Sequence, residues 1–190
     1  RRASVNTLLS YALQSHSQMM AINTHARKGV LRFLLGSFAE TLLLHAPIPL
    51  LVLNPASRPL PLVKAILFPT DLSQASKSAF LQVAELAHHL KAKILLYHKV
   101  EYVVPETYSV VHGSPTYEQY FEQDVGRRQK ELGEWESMAK QKGVNTEVIF
   151  DKKPTFVADA ILNLSKKMNS SIIAMNSSSG PVASALLGSI

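Results

Sequence analysis

Two stretches of this chain carry the residue types and spacing that suit a phosphate group. The first runs from Met20 through Ile22, Asn23, Thr24, His25 and Ala26 to Gly29, and on to Gly36 and Ser37. The second runs from Ile173 through Met175, Asn176, Ser177, Ser178 and Ser179 to Gly180, and on to Gly188 and Ser189. Each reads as a short apolar strand, an Asn, a loop of small and polar residues, and then a helix carrying Leu-Leu-Gly-Ser. At such a junction the free backbone N–H groups and the helix dipole favour an anion. Small residues let the backbone come close to it. The same junction also serves as a plain structural turn.

A third position belongs with these two. Asp71 follows the apolar run Val63 to Phe68 and the residues Pro69 and Thr70. A carboxylate there either meets a ligand or caps the next helix, a task Ser73 can also perform. The remaining candidates are weaker. Ser177, Ser178 and Ser179 have no His placed near them by spacing, so they read as a turn and not as nucleophiles. His25, His88, His89 and His98 show no zinc spacing with a third ligand. Glu118, Glu122, Glu131, Glu134 and Glu136 read as a solvated helix face, and Trp135 as core. No catalytic constellation emerges, so the chain is not expected to be an enzyme.

The two loops are copies of one pattern. Asn23 and Asn176 lie 153 positions apart, and Gly36 and Gly188 lie 152 apart. That period is the length of one domain, which predicts parts of two similar domains in tandem. The stretch Asn54 to Pro61 holds three prolines and reads as the connection. Residues 1–55 and 62–190 are then the two domain portions, with 56–61 as linker.

The elements that must position these loops follow from hydrophobic periodicity. Val5, Leu8, Leu9, Ala12 and Leu13 predict a helix, Met19 to Ile22 a strand, and Leu31, Leu34, Leu35, Phe38, Ala39, Leu42 and Leu43 a second helix. That helix must stop before Pro47 and Pro49. Leu50 to Leu53 is a continuous apolar strand. After the linker come a strand (Val63 to Phe68), a helix with Ala79, Phe80, Val83, Leu86, Ala87 and Leu90 on one face, and a strand (Ile94 to Tyr97). Val103 to Thr116 is an irregular loop. A long helix from Tyr117 to Lys142 has Tyr120, Phe121, Leu132, Trp135, Met138 and Ala139 facing inward, and Gly143 ends it. A strand (Thr146 to Phe150), a helix with Phe156, Val157, Ala160, Ile161 and Leu164 as its apolar face, and a strand (Ser171 to Met175) complete the order. Alternating strands and helices predict an α/β fold with an open parallel sheet and helices on both faces. Ligands then sit beyond the carboxyl ends of the strands, where the strand order reverses.

Composition narrows the partners. The hydrophobic share is 46% and the charged share 18%, as in a globular protein with a core. There is no Cys, hence no disulfide and no thiolate site. That fits a reducing cytoplasm. No apolar run approaches the ~18 residues of a membrane span. Arg1 and Arg2 precede no apolar run, so no signal peptide is expected at this end. The net charge is +6, but the basic residues are scattered and no aromatic residues interleave with them. Neither nucleic acid nor a membrane is an expected partner.

These residues together resemble the universal stress protein family. The first copy, from Asn23 to Leu53, is similar to the closing half of that family along its length. The run Ile66 to Ser73 is similar to its first strand and turn. The resemblance implies a five-stranded parallel sheet of order 3-2-1-4-5, a cytoplasmic protein, tandem-domain pairing and homo-oligomer formation through the last strand. It also implies that residues 1–55 are the end of one domain and that 62–190 are a second lacking its last strand. On that basis further pieces of a native chain are expected beyond these residues. Some members hold ATP through Gly-x2-Gly-x9-Gly-Ser/Thr. The matching positions here are Asn23, Ala26, Gly36 and Ser37, with spacing kept, and Asn176, Ser179, Gly188 and Ser189, one residue short in the second interval. Pro69 and Asp71 match the nucleotide-holding turn, and Lys99 stands where binders usually carry a small apolar residue near adenine. Asn, Ala and Ser in place of glycine add a Cβ where backbone must approach phosphate. Two classes therefore follow: an ATP-binding stress protein without catalysis, or a nucleotide-free scaffold whose altered loops are structural.

Overall fold

The structure is a computed structural model that describes residues 2–23, 37–53, 62–100 and 117–176. These fall into two compact units, one within residues 2–53 and the other within 62–176. The expected linker, the loop 103–116, and the loop residues Ala26, Gly36, Ser179, Gly188 and Ser189 lie outside the described residues.

The first unit contains helix α1 (Arg2–Gln14), strand β1 (Met20–Asn23), helix α2 (Ser37–His45) and strand β2 (Leu50–Leu53). The strands pair in parallel from Met20↔Leu50 to Asn23↔Leu53. Val5 and Ala12 of α1, Met20 of β1 and Leu42 of α2 are buried together, with Leu8, Leu9, Ile22 and Leu50 packed around them. Helix α2 ends at His45, two residues before Pro47, as the restriction on residues before proline requires. Two residues expected on the inner faces are not there: Leu13 and Phe38 are exposed. Each stands off the α1 and α2 stripes that meet the strands, and a two-stranded ribbon is too narrow to cover more than one stripe per helix.

The second unit contains strand β3 (Ala65–Pro69), helix α3 (Gln74–Leu90), strand β4 (Lys93–Lys99), helix α4 (Tyr117–Gln141), strand β5 (Thr146–Asp151), helix α5 (Val157–Lys167) and strand β6 (Ile172–Ile173). All pairings are parallel and the spatial order is β5-β4-β3-β6. A single five-stranded sheet is not found among the described residues. There are two sheets, of two and four strands. Leu50–Leu53, expected as the last strand of the first portion, pairs with β1 in that unit.

Successive strand residues point to opposite faces, and both faces of the larger sheet are covered. Ile66, Phe68, Ile94 and Leu96 pack with Phe80, Ala84 and Ala87 of α3 and with Leu132, Trp135 and Ala139 of α4. Ala65, Leu67, Leu95 and Tyr97 pack with Ile161 of α5 and its neighbours Val157, Ala160 and Leu164. This explains why β3 and β4 are apolar without alternation. The ends of the helices follow local chemistry. The Ser73 hydroxyl caps α3 by accepting from the Ser76 N–H at 3.1 Å. Gly143, at φ +75°, closes α4. Three positions expected to face inward do not, and the first is Leu90, the exposed last residue of α3. Tyr120 is exposed, since it lies in the first turn of α4, ahead of the residues that reach the sheet. Phe156 is 84% exposed because it is the N-cap of α5 and not part of its apolar face.

Phe80 is fully buried, edge-on to Phe68 at 5.5 Å and tilted against Trp135 at 5.3 Å. Phe80→Ala is expected to lower the unfolding free energy by about 3–5 kcal/mol, measured by urea denaturation.

Candidate functional site

The site is built where β3 ends. β4 bonds to one edge of β3 and β6 to the other, so the order of strands reverses there, the place where open α/β sheets take their ligands. Ladder pairs Ile66↔Ile172 and Leu67↔Ile173 are followed by the Ala174 N–H donating to the Leu67 carbonyl at 2.9 Å. Continuing this register brings Asn176 level with Thr70. Pro69 and Asp71 stand at and just beyond the end of β3, and Asn176 lies three residues after the end of β6.

Between β3 and α3 the chain turns sharply. Leu72 has φ +62°, a left-handed conformation costly for a branched residue, by about 1–2 kcal/mol. Three bonds hold it. The Leu72 N–H donates to Thr70 Oγ1 at 2.9 Å, the Ser73 N–H donates to Asp71 Oδ1 at 3.0 Å, and the Ser76 hydroxyl donates to the same Oδ1 at 2.5 Å. Burial pushes the Asp71 carboxyl upward, but the donors Ser76 and Ser73 outweigh it and hold the group below the usual carboxylate range. Asp71 Oδ2 makes no hydrogen bond among the described residues. Sequence reasoning left open whether Asp71 or Ser73 caps α3. Ser73 does, and Asp71 braces the turn with one oxygen.

Lys99 ends β4 with its side chain almost fully buried. Its ammonium donates to the Lys153 carbonyl at 2.6 Å and to Thr155 Oγ1 at 3.0 Å, and it pairs with Asp151 Oδ2 at 3.4 Å. Asp151 also accepts from the Tyr97 hydroxyl at 2.8 Å and from the Lys153 N–H at 2.9 Å. Burial raises the Asp151 pKa, and these donors with Lys99 bring it below the ordinary value. The Tyr97 phenol is pushed well up by burial and by the carboxylate it serves. Lys99 thus has three acceptors of its own. Asn23 lies at the carboxyl end of β1, paired with Leu53, and Ser37 begins α2.

The residues that sequence reasoning passed over surround His98. This imidazole is 2% exposed. Its Nδ1 lies 2.8 Å from the Thr70 carbonyl and its Nε2 lies 3.2 Å from Arg128 Nη1. A carbonyl only accepts and a guanidinium only donates. The ring is therefore neutral, with its proton on Nδ1. Arg128 in turn donates from Nε to Asp124 Oδ2 at 2.6 Å, and Arg127 donates to Asp124 Oδ1 at 2.5 Å. Burial lowers the His98 pKa, and the Arg128 charge adds to that, against the Thr70 carbonyl and the carboxylates of Asp124 and Asp71. The signal available in the sequence was a His inside a strand whose other residues all need burial, Ile94 to Tyr97. Its partners on α4 are 26 and 30 residues further on, too far to be linked by spacing.

Among the described residues, no group of three or more His, Asp or Glu is placed to hold a metal ion, and no helix is long and apolar enough to cross a membrane.

An open parallel sheet with helices on both faces and an acidic turn at its switch point defines a doubly wound α/β protein. Residues 3–54 and 63–190 match the model of the universal stress protein family, and the chain belongs to that family. Two solved structures with TM-scores above 0.5 agree in fold. A protein of the universal stress protein family from Burkholderia pseudomallei is 22% identical, with a TM-score of 0.52, over 68% of this chain and 91% of that one. A universal stress protein from Archaeoglobus fulgidus DSM 4304 is 17% identical, with a TM-score of 0.59, over 97% of this chain and 58% of that one. The universal stress protein from Archaeoglobus fulgidus in complex with dAMP is 15% identical, with a TM-score of 0.44, over 59% of this chain and 79% of that one. No curated protein matches the chain in sequence.

His98 sets a pH dependence of stability. Its folded pKa lies below the ordinary value of about 6.5, so the unfolded chain takes up this proton first. Stability is present above that pH and falls as pH drops below it, by up to about 1.4 kcal/mol per unit for one proton. The lowered carboxylates Asp71, Asp124 and Asp151 act in a separate, more acidic window. Urea denaturation from pH 7.5 to 5 is expected to show the loss, and His98→Asn to flatten it.

Proposed function

We propose that this chain is a non-catalytic stress-response protein that binds ATP or a related adenine nucleotide beyond the carboxyl ends of β3 and β6. The observation that carries this reading is the division of labour within Asp71. One carboxylate oxygen braces the turn through Ser73 and Ser76. The other makes no hydrogen bond among the described residues and is left as an anionic acceptor at the switch point. Ribose hydroxyls and the amino group of a base are the donors such an oxygen takes. Pro69 and Asn176 flank it, and Ser179, Gly188 and Ser189 are assigned to the phosphates. Lys99 is assigned to shaping the neighbouring wall, because its ammonium is already engaged. Asn23, Ala26, Gly36 and Ser37 form the corresponding set in the first unit.

In this reading the two units are portions of tandem domains of one kind, residues 1–55 and 62–190. The protein is cytoplasmic and self-associates. The second reading, a scaffold without nucleotide, is favoured by Asn176, Ser179, Asn23 and Ala26, which put side chains where glycine would let backbone meet phosphate.

Calorimetric titration with ATP and with AMP, with and without magnesium, separates the two. Saturable binding is expected, and Asp71→Ala is expected to weaken it at least tenfold, about 1.4 kcal/mol. Absence of both heat and thermal shift at millimolar nucleotide would establish the scaffold. Unchanged affinity in Asp71→Ala would remove that residue from the site.

A further inference from the structure

We infer that His98 is a positioning residue for the turn that carries Asp71, and that Asp124 and Arg128 hold its imidazole in the tautomer this task requires. The turn stands at the end of β3, where the regular ladder stops. The last backbone bond between β3 and β4 is the Thr70 N–H donating to the Tyr97 carbonyl at 2.9 Å. The next group along β3, the Thr70 carbonyl, accepts from the His98 side chain. Both backbone groups of Thr70 are thus tied to consecutive residues of β4, one by main chain and one by imidazole. Two residues after this anchor comes the left-handed Leu72. A strained residue persists only where its surroundings over-determine it. The internal bonds through Thr70 Oγ1 and Asp71 Oδ1 shape the turn, and the Ser76 hydroxyl ties its far side to α3. Among the described residues, the His98 bond ties the turn's first residue to a side chain of β4.

That bond needs a proton on Nδ1. Arg128 enforces it, since its Nη1–H requires a lone pair on Nε2. Asp124 fixes Arg128 by accepting from its Nε. The groups facing the ring among the described residues are Thr70 from the end of β3, Phe150 from β5 at 5.7 Å between ring centroids, Arg128 and Asp124 from α4, and Asp71 from the turn itself. A proton added to Nε2 removes the acceptor and sets an imidazolium against a guanidinium, so acid must displace Arg128. The array therefore runs Asp124–Arg128–His98–Thr70, and its product is a fixed place for Asp71. Its bearing on ligand affinity rests on the reading of Asp71 as a nucleotide acceptor. Its bearing on the turn does not.

The test uses the full chain, labelled with nitrogen-15, and needs no nucleotide for its main readouts. Imidazole nitrogen spectra at pH 7.5 are expected to show His98 with the proton on Nδ1 and a bare Nε2. The opposite tautomer would overturn the inference. Amide exchange at Leu72 and Ser73 is expected to rise about tenfold or more in His98→Phe, which has no donor for Thr70. In His98→Asn, whose amide occupies the Nδ1 position but cannot titrate, it is expected to stay near the wild-type rate. Equal exchange in all three proteins would sink the proposal. Should His98→Phe not fold, Arg128→Met decides: the His98 titration midpoint is expected to rise once the cation is gone. An unmoved midpoint would show that Arg128 does not set the ring. ATP titration of His98→Asn and His98→Phe is then read separately. Affinity that follows the exchange rates supports the link to Asp71. No nucleotide binding in any of the proteins counts against the proposed function and leaves the exchange result standing. Altered exchange with unchanged affinity would detach the turn from the ligand.

Discussion

β3 is bonded along both edges and packed on both faces, and the rest of the second unit depends on that. A strand so enclosed can carry only apolar residues, hence Ala65 to Phe68, all buried. Its first exposed residue comes where the sheet ends, and that residue is Asp71. The switch in strand order follows from β4 and β6 taking opposite edges of β3.

At that end of the sheet, polar groups must be buried beside apolar ones. Each isolated charge would be costly there, and the structure answers with two closed sets. One is Lys99 with Asp151, Tyr97, Thr155 and the Lys153 carbonyl. The other is His98 with Thr70, Arg128 and Asp124. Both anchor on β4, at consecutive positions that point to opposite faces. The first set ties β4 to the segment after β5, and the second ties β4 to the turn after β3 and to α4. Asp71 differs from the members of both sets, since one of its oxygens remains without a hydrogen bond among the described residues. Membership of the universal stress protein family rests on the match along both units, independently of this electrostatic reasoning.

Much of the fold was legible in the chain. Ile94–Tyr97 is apolar without alternation because this parallel strand is buried on both faces, and both it and Leu50–Leu53, whose Val52 and Leu53 are exposed in the smaller sheet, were read as strands. The β6 strand was expected over Ser171 to Met175 but is ladder-paired only at Ile172 and Ile173. Its neighbours have the right composition, yet strand length is decided by what lies alongside, and β3 bends into its turn at Thr70. The exposed Phe156 and Tyr120 were misread for a related reason. Apolar periodicity continues to the end of a helix even where the surface it would cover has stopped.

By itself the sequence determined the kind and order of the elements and pointed to the family, because these depend on local periodicity and on residue patterns read along the chain. It also singled out Asp71, since a carboxylate after an apolar strand is a local signal. Only the tertiary structure decided which of Asp71 and Ser73 caps α3, that Lys99 spends its charge on Asp151 and the segment after β5, and that His98 meets Arg128 and Asp124. Those outcomes join residues tens of positions apart through side-chain hydrogen bonds. Their geometry is set by how β4 and α4 pack, and spacing along the chain does not encode it.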